Sequence, residues 1–395
     1  MQSSKNPFSL IVASSAFAAM AAFMIWAFAQ AGTLGMYRWG GTRGMILALC
    51  AVGVFPLVAT IATRALFSTE GKAFAIANAI CVAVSTLSLL VTIGVSLFVL
   101  TNAYGDAASA DRPATVDPAQ GFPLRKGIDG SPTFRIALSS DPHYGREASD
   151  SPARSAILRL SQAEYENGTL DAFFDLGDTV EMGMAAAGWK EAIESIRRDA
   201  PALPFVALLG NHDSIIGGIT RWKTAFALEP SWRMDEGPVH FIALDLLWGP
   251  EGFGAAKKAW LKAQLDSIPV TDYIVVLSHC FFYSSGYVDE GTGMPWYDHA
   301  DMLREVAPLI AGKADLVVSG HNHYMEWIEA DGSAWAVVGA MGGKPDPVPS
   351  YVSPGSVWFS RGVFGRLIIE LRPEGLACEF QDQTGKALFQ KTLSK

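Results

Sequence analysis

The chain has 395 residues, half of them hydrophobic and only 17% charged, with a formal net charge of −9. The charge is unevenly spread: up to Gly105, five basic residues (Lys5, Arg38, Arg43, Arg64, Lys72) face one acid, Glu70, a net +4 that leaves −13 for the remainder. So acidic a remainder argues against nonspecific nucleic-acid binding, which needs Lys and Arg to displace counterions, and four cysteines without a C-x-x-C pair argue against a disulfide-rich scaffold.

Charge spacing divides residues 1–103 into three apolar spans. Thirty-two uncharged residues separate Lys5 from Arg38, 20 separate Arg43 from Arg64, and 33 separate Lys72 from Asp106, with apolar centres at 8–30, 47–60 and 75–100. About 20 apolar residues cross a hydrocarbon core, so three transmembrane helices are expected. A cleaved signal peptide is the other reading of the first run; its length and the two spans behind it speak against that. The Lys and Arg flanking the spans favour an N-terminus inside. The expectation is an integral protein of a bacterial inner membrane, with its soluble part on the outer, periplasmic side. Residues 104–131, rich in Ala, Asp, Pro and Gly, read as a linker, and 132–395 as one domain.

Within that domain short β-rich runs alternate with amphipathic stretches. Strands are expected at 134–139, 172–176, 205–209, 240–246, 273–278 and 316–319, and helices at 153–166, 189–198, 219–228, 255–267 and 299–311. This alternation is the pattern of an α/β domain. After Met325 the pattern changes to strands at 327–330, 334–339, 366–371 and 377–382, expected to pair antiparallel.

Five of the apolar runs end abruptly in polar chemistry. They lead into Asp141-Pro142-His143, Gly177-Asp178, Gly210-Asn211-His212-Asp213, His279 and Gly320-His321-Asn322-His323. Ligands of open α/β sheets bind beyond the carboxyl ends of strands, so these five ends point to one convergent site. Taken singly, each residue has an ordinary reading: turn acids at Asp141 and Asp178, a helix cap at Asn211, a core histidine at His279, turn glycines between. Their order is what those readings leave unexplained.

That order, D-x-H, G-D, G-N-H-D, H, G-H-x-H, resembles the signature of the calcineurin-like metallophosphoesterase superfamily. The resemblance implies a four-layer α/β/β/α sandwich, here preceded by three transmembrane helices. It assigns Asp141, His143, Asp178 and His323 to one divalent metal ion, and Asp178, Asn211, His279 and His321 to a second, with Asp178 bridging. Mixed imidazole and carboxylate donors suit Mn, Fe or Zn. His212 is implied as the catalytic acid for the leaving oxygen, and Asp213 as the residue that orients its ring. Purple acid phosphatases carry a Tyr soon after G-D; here Thr179, Val180, Glu181 and Met182 follow Asp178, a departure from that subgroup.

The expected function is a membrane-anchored dinuclear phosphoesterase that hydrolyses phosphate mono- or diesters with a metal-activated hydroxide. Two alternatives stay open: a hydrolase specific for a lipid-linked phosphate or pyrophosphate delivered from the bilayer, and a non-enzymatic metal- or ligand-binding membrane sensor. Cys280 reads as a small buried residue beside the site, and His240 and His299 as structural or surface positions. The aromatic segment 281–298 is either a loop over the metals that selects substrate or a plain surface loop.

Overall fold

A computed structural model describes residues 7–31, 40–66, 71–104, 112–127 and 130–395. The chain divides between Gly105 and Asp106 into two compact units. The flanking charges Lys5, Arg38 and Glu70, and residues 105–111 and 128–129 of the expected linker, lie outside the described residues.

The first unit is three helices, α1 (Phe8–Ala31), α2 (Gly40–Leu66) and α3 (Lys72–Tyr104). Their outward faces carry Ile25, Phe55, Leu87 and Phe98, all more than half exposed, where a water-facing helix would carry charge. Two of them, over Phe8–Trp26 and Lys72–Phe98, are long and apolar enough to cross a membrane; in α2 the apolar stretch is the shorter Ala51–Leu66. The expectation of three spans is therefore corrected to two among the described residues. The helix α2 itself spans 27 residues. Pro56 lies inside α2 and has no N–H to offer the carbonyl four residues back. That carbonyl, of Val52, accepts instead from the Ser88 hydroxyl of α3. Such borrowing is what a helix in an apolar surround needs, since an unpaired carbonyl there has no water to turn to.

The second unit is built on two sheets. Its strands, in chain order, are β1 (Arg135–Ser139), β2 (Ala172–Asp175), β3 (Phe205–Ala207), β4 (Trp232–Glu236), β5 (Val239–Leu244), β6 (Tyr273–Ser278), β7 (Leu316–Ser319), β8 (Met325–Ala330), β9 (Ser333–Val338), β10 (Ser356–Ser360), β11 (Gly365–Arg372), β12 (Gly375–Asp382) and β13 (Ala387–Leu393). One sheet runs β13-β12-β11-β1-β2-β3 and the other β10-β8-β9-β7-β6-β5-β4. Strands β1, β2 and β3 are parallel, as are β5, β6, β7 and β9; the remaining pairs are antiparallel.

Period-2 alternation decides the layers. Ile136 and Leu138 of β1, Phe174 of β2, Phe241 of β5 and Val275 and Leu277 of β6 share one core between the sheets. The intervening Ala137 and Phe173 face outward onto α4 (Ser151–Glu166) and α5 (Ala186–Asp199). Ile274 and Val276 face α7 (Ala255–Asp266), α8 (Ala300–Glu305) and α9 (Ala307–Ile310); α6 (Gly218–Phe226) packs near α5 through Trp222 and Phe226. The layers are α/β/β/α. Asp150 caps α4, its Oδ1 accepting from Ala153 N at 2.8 Å.

Three edge strands, β4, β10 and β13, were absent from the expected set. The single helix expected over 299–311 is two, parted at Val306 where Pro308 cannot continue the ladder. Part of the expected linker is folded onto the sheet. Val116 N donates to Phe205 O at 2.8 Å and Phe205 N to Ala114 O at 2.7 Å, while Phe122 is buried and its N–H donates to Glu236 Oε1 at 2.8 Å.

Candidate metal centre

The parallel strands deliver their carboxyl ends to one edge of the sandwich. The turn after β1 carries Asp141 and His143, that after β2 Asp178, that after β3 Asn211, that after β6 His279, and that after β7 His321 and His323. Asp141, His143, Asp178 and His321 have φ of 63°, 48°, 52° and 70°. Left-handed backbone is costly for a side-chain-bearing residue and persists where the surroundings over-determine it. Here each turn is laced to the next: Asp141 N donates to Gly177 O, His143 N to Asp178 O, and Gly320 N to His279 O, at 3.0–3.1 Å. The crowding also dictates glycine at position 210, where a Cβ would lie 2.0 Å from Asp178 N and 2.2 Å from its Oδ1.

The seven candidate ligands form two groups. In the first, Asp141 Oδ1 lies 3.6 Å from His143 Nε2 and 3.4 Å from His323 Nε2, and the two imidazole nitrogens are 3.1 Å apart. In the second, Asn211 Oδ1 lies 2.9 Å from His279 Nε2 and 2.7 Å from His321 Nδ1, with those nitrogens 3.2 Å apart. Asp178 stands between: its Oδ1 is 3.4 Å from His279 Nε2 and its Oδ2 3.7 Å from His143 Nε2.

Hydrogen bonds behind three of the rings settle which nitrogen faces inward. His143 Nδ1 donates to Glu181 Oε2 (2.7 Å), His279 Nδ1 to Leu176 O (2.9 Å) and His323 Nδ1 to Lys344 O (2.6 Å). A neutral ring that donates from Nδ1 presents a bare lone pair at Nε2. Facing lone pairs 3.1 Å apart repel unless a cation lies against both. Asp141 Oδ1 is likewise buried with no hydrogen-bond partner, which is costly for a carboxylate oxygen. The donor set therefore fits divalent cations.

The electrostatics agree. Burial pushes the Asp141 carboxyl up, but the His143 and His323 imidazoles beside it outweigh that and hold the group well below the usual range. Asp178 is likewise lowered against its burial by His279 and His212. Burial lowers His279 and His323, yet Asp178 lifts the first to about 9, and Asp346 and Asp141 lift the second to about 10. Both carboxylates hold their charge and attract protons onto the rings where no stronger cation competes.

His212 stands at the rim, its ring 4.9 Å from that of His143, with Nδ1 donating to Glu181 O at 2.7 Å. Its backbone N–H donates to Asp178 Oδ1 at 2.8 Å. Asp213 was expected to orient this ring; its hydrogen bonds do something else. The carboxylate accepts from the backbone N–H of Thr179, Val180 and Gly210 at 2.9–3.2 Å, pinning the turn that carries Asp178. The ring is held by Glu181 instead.

Glu181 is the main residue that sequence reasoning passed over, although it stands only three positions after Asp178. Asp346 is a second, accepting from His323 N at 2.7 Å. It sits in a Gly- and Pro-rich stretch with no motif to mark it.

Residues 134–325 match the family model of the calcineurin-like phosphoesterases. The second unit is similar in fold to a purple acid phosphatase from yellow lupin, with a TM-score of 0.55 and 17% identity over 68% of this chain and 54% of that one. It is also similar in fold to GAP50, the anchor in the inner membrane complex of Plasmodium, with a TM-score of 0.52 and 20% identity over 66% and 89% of the two chains. Among curated proteins, the DNA double-strand break repair protein Mre11 of Haloferax volcanii is 25% identical over 207 residues, covering 50% of this chain. The match spans 43% of that relative's length.

Proposed function

We propose that this chain is a membrane-anchored, two-metal phosphoesterase that cleaves phosphate mono- or diesters. The observation that carries the proposal is the pair of facing donor groups, with Asp178 presenting one oxygen to each. Two divalent cations held there, of the Mn, Fe or Zn class, supply Lewis-acid charge and lower the pKa of water at the site.

The protein's own groups do the rest. Asp141, His143 and His323 hold one side, and Asn211, His279 and His321 the other. Glu181, Leu176 O and Lys344 O keep three imidazoles in the tautomer that faces inward. His212 lies beside both Asp178 and the open rim, where its imidazole can hand a proton to the leaving oxygen. The two apolar helices motivate the anchor. The orientation expected from the flanking charges, with the site on the outer face, belongs to the same proposal.

The test uses full-length protein purified in detergent. With Mn²⁺ it should bind about two metal ions per chain and cleave nitrophenyl phosphate or its bis-ester. Asp178→Asn should lower both metal content and turnover. Failure to turn over any ester with Mn²⁺, Fe²⁺ or Zn²⁺ sinks the enzymatic reading and favours a sensor. Release from membranes by carbonate washing sinks the anchor, and protease protection in sealed vesicles reads the orientation.

A further inference from the structure

The two sides of the centre are chemically unlike. Around His143 and His323 stand charged groups: Glu181, Asp346, the Arg146 guanidinium 3.3 Å from Glu181 Oε2, and the exposed Lys344. Around His321 stand aromatic rings. The indole of Trp296 lies 4.8 Å from the His321 ring, that of Trp248 5.5 Å, and Phe281 stacks on it at 5.8 Å. Phe281 is buried, whereas both tryptophans are half-buried. Trp248 is also 6.4 Å from the His212 ring and 6.5 Å from Trp296. It bridges the candidate acid and the aromatic side.

These rings are fixed rather than draped. Asn322, between two candidate ligands, donates from Nδ2 to Trp296 O at 3.1 Å and to Ser284 Oγ at 3.0 Å. His299 Nε2 donates to Trp248 O at 3.0 Å. The hairpin of Tyr287–Val288 with Pro295–Trp296 closes the segment. Buried Glu326 accepts from Ser285 N and Oγ at 2.8 and 2.5 Å, tying its base to β8.

We infer that Trp248 and Trp296 form an apolar wall that receives the organic substituent of the phosphoester, so that the leaving group is an apolar one, aromatic or a lipid chain, rather than a polar alcohol. The inference rests on the phosphoesterase reading and deepens it. On that reading the leaving oxygen departs beside His212, and the Trp248 ring lies 6.4 Å from the His212 ring. Indole faces reward apolar and flat groups and gain little from a hydrated one.

The experiment compares 1-naphthyl, decyl and glycerol phosphates on Mn²⁺-loaded full-length protein, each as the variant-to-wild-type ratio of kcat/KM, which cancels intrinsic reactivity. Phenylphosphonate and methylphosphonate binding are measured alongside. Trp296→Ala should lose about tenfold on naphthyl phosphate, mostly in KM, and a similar factor in phenylphosphonate affinity, with glycerol phosphate within about twofold. Trp296→Phe should restore most of it, and Trp248→Ala should behave like Trp296→Ala. Decyl phosphate falling in step assigns the wall to a lipid chain; decyl phosphate unmoved assigns it to a ring. Equal losses on the naphthyl and glycerol esters, or none on either, overturn the inference. If no ester is cleaved at all yet phenylphosphonate binding still depends on Trp296, the hydrolytic reading fails and the wall stands.

Discussion

His212 is not one of the seven candidate ligands: its Nδ1 donates to Glu181 O, although its ring stands 4.9 Å from that of His143 and clusters with His143 and Glu181. Its backbone N–H donates to Asp178 Oδ1. His212→Ala should therefore keep the metals and lose roughly 10²–10⁴ in kcat, read by elemental analysis alongside turnover. Loss of metal with turnover would make His212 a ligand instead. Burial lowers its pKa below the ordinary histidine value, and nearby cations push the same way. As an acid the ring must start protonated. The His212-dependent limb of the kcat profile should fall as pH rises through a midpoint below about 6.5, and that limb should vanish in the variant. The convergence of the seven candidate ligands was legible because each lies in the turn after a strand, so one-dimensional order already encoded their meeting. Glu181 and Asp346 were not, since each acts on a histidine 38 or 23 residues away and only folding brings the pair together.

The elements that sequence pattern missed share a cause. Strands β4, β10 and β13 are sheet edges, where exposure dilutes the alternation that marks an inner strand. β4 even carries Arg233, Asp235 and Glu236 within five residues. One of those charges clips the segment read as a linker: Glu236 is buried and accepts from Phe122 N. Its burial raises the carboxyl to about 7, with Asp171 and Asp235 adding to the rise. A folded-state pKa above the unfolded value means that folding favours the protonated form. Stability should therefore be full at about pH 4 and decline as pH rises towards about 7. Glu236→Gln keeps an acceptor for Phe122 and removes the charge. It should raise stability at pH 8 by on the order of 1–2 kcal/mol and change little at pH 4.5. Thermal unfolding at the two pH values checks this, and an equal shift at both would mean that the effect is packing and not charge.

At the scale of the whole molecule, the division into an apolar helical unit and an acidic sandwich was legible from charge spacing, because both follow from composition over long windows. The number of spans was less so: two helices among the described residues are long and apolar enough to cross a membrane, where charge spacing gave three runs. The two units should also respond differently to metal. In the sandwich, cations would neutralise buried Asp141 and Asp178 and separate two pairs of facing nitrogens, and that interaction exists only when the five turns are folded together. Binding to the folded state alone adds about 4 kcal/mol when free metal is a thousandfold above its dissociation constant. For a domain of this size 1 kcal/mol moves the midpoint by roughly 2–4 °C. Chelation by EDTA should thus lower the midpoint followed by near-ultraviolet dichroism, which reports the tryptophan-rich sandwich, by on the order of 10 °C, and excess Mn²⁺ should restore it. The far-ultraviolet helical signal of the apolar unit, which has no candidate metal group among its described residues, should not move. A sandwich midpoint indifferent to EDTA would mean that the facing nitrogens are satisfied by protons and that the centre does not hold metal.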